Sequence, residues 1–409
     1  MLSQVPGIKE DWEHETMVHA SIESEIVEFF EHNDVTSKGL DEGEASQCVL
    51  SNPLDYDDDN SSPPYPTVLR KLGVRLFKPK MGFDAALKLV AYQRSAVEAV
   101  KNPLQSAIAS KFDLKTICAS STNPICIADL GCSTGPNTFI KVQNIVEAIR
   151  IQCQSQNQST PEILVFFNDQ VSNDFNSLFQ KLPSNRNYFA FGVPGPFYGR
   201  LFPRQSLHLV HSSSALNWLS KLPRELTDRS CGAWNKGRIY YTNAPSEVED
   251  AYKRQFKIDL ETFLHARAQE LVSNGLMAIM TCAAHDVIDF NTDLYAGKEL
   301  ELSGSCLMDM ARSGLVSEEK MDTYNVPTYF PHLNYLKKIL ESNEDLNLEE
   351  IVAMDRKFLP NIETYVSSAR AVHEVLIEKH FGDGAVDELF ERFAEKIMEF
   401  PEIINFAQH

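Results

Sequence analysis

Between Pro124 and Ala283 the chain alternates short, nearly uninterrupted apolar runs with longer stretches whose apolar residues recur every three or four positions. The short runs predict buried strands over Pro124–Gly131, Glu162–Asp169, Tyr188–Gly195, Gly237–Asn243 and Leu276–Ala283. The longer stretches predict helices from Asn137 through FIKVQNIVEAIRIQ, over Ser206–Ser220 and over Glu247–Leu271. Strands that are apolar on both faces and separated by helices belong to a mainly parallel sheet, because each crossover lays a helix on a face. The expected fold is α/β and doubly wound. From about residue 290 to 370 the rhythm breaks and the pattern turns helical, which predicts a mostly helical cap over the strand ends. Helix is also expected over Met81–Val100 and Val372–Met398, and no internal repeat is present.

Charge changes the picture of the N-terminus. Residues 1–66 hold 16 Asp/Glu against two lysines, Lys9 and Lys38, so they carry −14 of the net −19 and leave about −5 on the other 343 residues. Residues 1–66 are read as an acidic, solvated, disordered extension, with linker character from Asp55 into SSPPYP, and residues 67–409 as the folded domain. No basic stripe offsets phosphate repulsion, which argues against a nucleic-acid partner. No run approaches the ~18 apolar residues of a membrane helix, and the N-terminus lacks a basic-then-apolar leader. A cytoplasmic protein is expected. The eight cysteines contain no C-x-x-C pair, so neither a zinc site nor a redox motif is indicated.

The chemistry starts where the first strand ends, in IADLGCSTGPN. In a doubly wound sheet, ligands sit beyond the carboxyl ends of the strands. Gly131 and Gly135 let the backbone turn tightly and approach a ligand there. The spacing differs from the G-x-G-x-x-G of dinucleotide sites. The second strand ends in Asn168-Asp169, and an acid at that place accepts hydrogen bonds from both ribose hydroxyls. A nucleoside without phosphates suits this arrangement, and S-adenosylmethionine is one. The loop also fits G-x-S-x-G, the nucleophile elbow of α/β-hydrolases, with Ser133 as nucleophile. Against that reading, no oxyanion loop precedes it, and the elbow lies on too early a strand.

The chain resembles the SABATH methyltransferases of plants, which use S-adenosylmethionine to methylate small acids such as salicylate, benzoate and jasmonate, and also xanthine alkaloids. The resemblance rests on IADLGCSTGPN, FNDQVSNDFNSLF, FGVPGPFYGRLFP, LHLVHSSSALNWLS, NKGRIYYTNAPSEVEDAYKRQF, FLHARAQELV, SGLVSEEKMDTYNVPTY and ARAVHEVLIEKHFGDGAVDELFERF, in order over roughly residues 75–400. It implies a Rossmann-like class I methyltransferase fold and methyl ester formation on a small carboxylic acid. It implies that Asp129, Cys132 and Asn137 line the methionine and ribose side of the cofactor. Asp169 would hold the ribose hydroxyls, Gln170 would lie beside the adenine, and Pro196 and Phe197 would lie near it. Gln93 and Trp218 would hold the substrate carboxylate as neutral donors. Asn217 stands where the family varies with substrate, and Lys78 matches a lysine at the substrate mouth. Asn235, Asp322, Tyr324 and Asn325 match a magnesium site of some members, Tyr324 through its backbone carbonyl. A homodimer is implied by the resemblance alone.

Three positions depart from the family pattern. Ala86 stands where a cofactor-touching tyrosine is expected, Val90 replaces a serine, and Pro196 replaces the serine of GSFYGR. Proline there removes a backbone donor and a hydroxyl. These losses motivate, as an alternative to ester formation, a non-catalytic small-acid binder on the same scaffold; a xanthine-type N-methyltransferase is a further alternative, which would need its own donor and acceptor set. The expected chemistry needs few groups. A carboxylic acid of pKa ~4 is already ionised at pH 7, so positioning rather than a general base carries the reaction.

Overall fold

The computed structural model describes residues 100–112, 114, 124–284, 295–352 and 362–399. The expectations for residues 1–66, Lys78, Ala86, Val90 and Gln93 lie outside the described residues.

Five strands, β1 (Ile125–Leu130), β2 (Ile163–Asp169), β3 (Phe189–Pro194), β4 (Leu207–Ser213) and β5 (Leu271–Met280), form one sheet in the order β3-β2-β1-β4-β5, with every neighbouring pair parallel. All five carboxyl ends therefore lie along one edge. The order reverses direction at β1, so the crevice between the β1 and β4 ends is the switch point where such sheets bind ligands. β1 and β4 are buried on both faces, as interior strands of a covered parallel sheet must be. One face packs on α1 (Pro136–Ser155), whose Phe139, Val142, Val146 and Ile149 meet Ile125, Ile127, Val165 and Phe167 of the sheet. Pro136 begins α1 at the position where a missing N–H costs nothing. The short α2 (Phe175–Gln180) is capped by Asp174, whose carboxylate accepts from Ser177 N.

The other face packs on α3 (Ser246–Glu270), whose Val248, Tyr252, Phe256, Leu260, Phe263 and Leu264 recur at helical spacing in the larger core. After β5 come the helices α4 (Tyr295–Arg312), α5 (Glu318–Met321), α6 (Leu333–Glu341), α7 (Ile362–Phe381) and α8 (Asp383–Glu399). α8 is tied to α4 by Lys396 Nζ, 2.7 Å from Asp309, and to α7 by Arg370, 2.8 Å from Asp387.

Two expected elements exchange roles. The stretch expected to be helical, Ser206–Ser220, contains β4 and then a turn. Leu207, Leu209 and Val210 are fully buried between β1 and β5, and that two-sided burial overrides the helical reading. Gly237–Asn243, expected as a strand, forms turns instead. Its apolar residues serve an aromatic cluster, with the Tyr240 and Tyr241 rings 4.1 Å apart and Tyr241 5.3 Å from Tyr252 and 5.4 Å from Tyr329. A short apolar run cannot by itself distinguish a buried strand from a buried turn. β5 also starts earlier than expected, directly where α3 ends.

Candidate active site

The loop after β1 turns through two left-handed residues, Gly131 (φ 76°) and Ser133 (φ 57°). A Cβ at Gly131 would lie 2.4 Å from Ala215 Cβ, beyond the end of β4, so only glycine lets the two loops close on each other. Ser133, a non-glycine in this region, is held there: its N–H donates to Asp169 Oδ2 at 2.7 Å. Gln170 N donates to the other oxygen, Oδ1, at 2.7 Å, which fixes the Asp169 carboxylate across the β1 and β2 ends. Burial raises the Asp169 acid above its usual range, against the pull of these two N–H groups.

Asn137, in the first turn of α1, is buried, and its Nδ2 has no hydrogen-bond partner among the described residues. A buried amide donor left open beside a glycine-cleared loop and a fixed carboxylate fits a bound polar ligand. S-adenosylmethionine matches this donor set. Cys132 is buried and its Sγ donates to Ser133 O. Burial, then the charges of Asp129 and Asp169, push its thiol well above the usual value, so it lines the loop as a neutral group. Phe197 is buried, 4.6 Å from the Tyr198 ring and edge-on to Phe263 at 5.9 Å, while Pro196 and Gln170 are exposed.

Asp129 lies deeper than its expected role suggests. Its Oδ2 accepts from Thr138 Oγ1 and its Oδ1 lies 2.6 Å from Nδ1 of His211, its register partner on β4. Burial drives the Asp129 acid upward, but the bonds and charge from His211, with Thr138, bring it net below the ordinary carboxylate range. His211 carries no sequence motif; only the parallel register of β1 and β4 reveals it.

At the β4 end, Asn217 and Trp218 come together with Cys282, Thr328 and Tyr329. Asn217 Nδ2 donates to Cys282 O (2.8 Å) and Tyr329 O (3.0 Å), and its Oδ1 accepts from Thr281 Oγ1 and Cys282 N, both at 3.0 Å. Every hydrogen-bonding position of the amide is filled. Asn217 therefore staples three segments, with both ends of its amide engaged by protein groups. Trp218 is half-buried and pairs across an antiparallel bridge with Thr328; its carbonyl accepts from Tyr198 Oη. Next to it, Ser220 N and Oγ donate to Asp259 at 2.8 and 2.6 Å. The hydroxyls of Ser213 and Ser214, at the same strand end, are buried and unpartnered among the described residues. Among the described residues Ser133 makes no hydrogen bond to a histidine; its N–H is held by Asp169 instead.

The magnesium set is brought together only in part. Asn235 Nδ2 donates to Asn325 Oδ1 at 2.8 Å, and both residues are buried. Asn235 Oδ1 and Asn325 Nδ2 remain open, one an acceptor and one a donor. Among the described residues, no hydrogen bond joins the half-buried Asp322 to this pair, and Tyr324 is buried with its hydroxyl unpartnered. Of the four residues, the hydrogen bonds link Asn235 with Asn325, and no step below is routed through a magnesium ion.

Comparison with known proteins agrees with this geometry. The sequence profile of SAM dependent carboxyl methyltransferases matches residues 88–408. Loganic acid O-methyltransferase of Catharanthus roseus is 42% identical over 314 residues, covering 75% of this chain and 84% of the relative. Farnesoic acid carboxyl-O-methyltransferase of Arabidopsis thaliana is 38% identical over 313 residues, covering 75% and 88%. A solved loganic acid methyltransferase with S-adenosylhomocysteine superposes with a TM-score of 0.74 at 40% identity, over 77% of this chain and 90% of that one. The five-stranded parallel sheet is thus that of a class I methyltransferase, and the chain belongs to the SABATH family of S-adenosylmethionine-dependent carboxyl methyltransferases.

Proposed function

We propose that this enzyme forms the methyl ester of a small acid bearing hydroxyl groups, with the methyl donor seated on the β1–β3 ends and the acid at the β4 end. S-Adenosylmethionine brings a methyl group already activated by its sulfonium leaving group. Asp169 accepts from the ribose hydroxyls, Asn137 Nδ2 finds its missing acceptor in the ligand, and Phe197 and Gln170 flank the base. The thiol of Cys132 stays neutral and adds no competing nucleophile. The observations that carry the reading are the fixed Asp169 carboxylate at the β2 end and the open, buried Asn137 amide in the first turn of α1.

At the other end, Trp218 Nε1–H and Gln93 hold the acid as neutral donors, leaving the carboxylate its nucleophilicity. Lys78 stands at the mouth. The acid arrives ionised at neutral pH, so no proton has to be moved. The chain's contribution is to align the reacting atoms and exclude water. Ser213 and Ser214 present free hydroxyls at the same end, which favours an acid with its own hydrogen-bonding groups; loganic acid, the substrate named for the 42% identical relative, is the first to try. The enzyme is proposed to work in the cytoplasm as a homodimer, with residues 1–66 as an appendage outside the catalytic domain. Among the described residues no helix is long and apolar enough to cross a membrane.

The test is calorimetric binding of S-adenosylmethionine and S-adenosylhomocysteine, followed by labelled-methyl transfer to a panel of loganic, farnesoic and aromatic acids, with a xanthine included. Asp169→Ala should weaken S-adenosylhomocysteine binding by roughly a hundredfold, since bonds to a charged acceptor contribute about 1.5–3 kcal/mol. Unchanged binding would move the cofactor seat elsewhere. Transfer to the xanthine alone would overturn the ester reading.

A further inference from the structure

The loop Pro196–Phe202 leaves β3, the edge strand, and carries both Phe197 and Tyr198. Its backbone is held by two charged side chains from the last turn of α3. Arg267 Nη1 donates to Phe197 O at 2.5 Å and Nη2 to Gly199 O at 2.8 Å. Glu270 Oε1 accepts from Leu201 N at 2.5 Å and from Phe202 N at 2.9 Å. The two close on each other, Arg267 Nε donating to Glu270 Oε2 at 2.8 Å and Nη2 lying 2.7 Å from the same oxygen. Both residues are 0% exposed. The guanidinium also lies 5.1 Å over Phe263, the ring that meets Phe197 edge-on.

A fully buried ion pair is a poor way to gain stability, because desolvating two charges consumes most of what their attraction returns, and an apolar pair of similar volume usually serves as well. What the apolar pair cannot supply is a set of fixed partners for two carbonyls and two N–H groups of one loop. That loop places Phe197, whose Cε1 would lie 3.6 Å from a Cβ at Gly131. We infer that Arg267 and Glu270 are positioning residues for S-adenosylmethionine: together they latch the Pro196–Phe202 loop so that Phe197 meets the nucleoside. The inference rests on the cofactor seat proposed above. On the acid side Trp218 is tied to this loop through Tyr198 Oη, but Asn217 and Ser220 are fastened separately, to Cys282 and Tyr329 and to Asp259, so the latch should act mainly on the donor.

The full chain carrying Arg267→Met with Glu270→Met removes both charges and strands neither. Arg267→Lys keeps the charge but replaces a planar fork with a single donor point, and it carries the same test if the double variant does not fold. Each is compared with wild type for S-adenosylhomocysteine Kd, for KM of both substrates with the acid that wild type turns over fastest, and for melting temperature. The expected result is a rise of about tenfold in the Kd and in the S-adenosylmethionine KM, in line with the sensitivity of transfer to small misplacements. The acid KM should stay within about twofold. A rise in both KM values together, or no rise in a variant that melts like wild type, would overturn the latch. Phe197→Ala separates the two readings. If it leaves the Kd unchanged, the seat is wrong and the latch falls with it. If it raises the Kd while the latch variants do not, only the latch fails.

Discussion

The two ends of the site are assembled on different plans. The donor end comes from three successive strand ends, and its key bond, Ser133 to Asp169, spans 36 residues. The acid end is stitched from distant parts: Asn217 reaches 65 residues to Cys282 and 112 to Tyr329. The first is a loop geometry that a short motif can specify. The second is a three-way junction that exists only after β4, β5 and the Pro327–Phe330 segment have come together. A cofactor common to many enzymes can be served by a local motif. An acid that differs between relatives is served where remote segments meet, and there changes can accumulate without disturbing the donor.

The largest expected effect is at the joint between the ends. His211→Ala leaves the buried Asp129 carboxylate with its Thr138 hydrogen bond and the nearby charge of Lys141 but without its ion-pair partner, which should cost about 3–5 kcal/mol of stability at pH 7. In wild type the folded Asp129 acid is lowered, so its contribution is complete above the unfolded carboxyl value near ~3.9 and is lost as pH falls through the folded value. Without the imidazole, burial dominates and the acid is raised; its contribution then survives only at low pH and is lost as pH rises. Thermal melts across the acid range should therefore fall steeply toward low pH in wild type and much less in the variant. Parallel profiles would show that the pair is not what holds Asp129.

Asn217→Ala should come next. It strands two carbonyls, an N–H and a hydroxyl, for about 3 kcal/mol of stability. It should lower kcat/KM for the acid while leaving S-adenosylhomocysteine affinity alone. An equal loss of affinity would show that the ends are not independent. Trp218→Phe removes a single donor and should reduce kcat/KM for the acid by about tenfold, with S-adenosylmethionine KM unchanged; full activity would remove Trp218 from the carboxylate. The smallest effect is expected at Tyr198→Phe, which cuts a hydrogen bond joining the two ends. A loss of about 1 kcal/mol is expected. Changes in both KM values would make Tyr198 the route by which one end senses the other.

What the sequence made legible follows the same division. β1, β2, β3, α1 and α3 could be read because apolar periodicity acts over a few residues. The glycines after β1 and the acid at Asp169 could be read because a tight turn and a strand end impose residue types locally. β4 was hidden because Leu209, Leu216 and Leu219, seven and then three residues apart, fall at helical spacing, while the choice of strand is made by neighbours on either side in the sheet. His211 was hidden because its partner lies 82 residues away, and the Arg267–Glu270 pair because its targets lie about 70 residues upstream. Asn217 could be placed by resemblance, but its saturation by backbone groups appears only once Cys282 and Tyr329 are in position. Polar residues whose partners are remote backbone atoms leave no periodic trace.

The direct passage from α3 into β5 has a consequence for how this chain tolerates changes of length. Glu270 ends the helix and Leu271 begins the strand, with no intervening loop, and Leu271 is already paired in register with Leu207. The Leu271–Leu207 pair, which precedes a register irregularity before Leu276 pairs with Leu209, thereby ties the end of the helix to the edge of the sheet. One residue inserted at this joint would rotate the last turn by about 100° relative to the sheet, swinging both charges away from the loop they hold. Indels should be absent there and tolerated beyond the exposed Gly314 turn after α4. A library of single-residue insertions scored for S-adenosylhomocysteine retention would show that seam as a sharp gap.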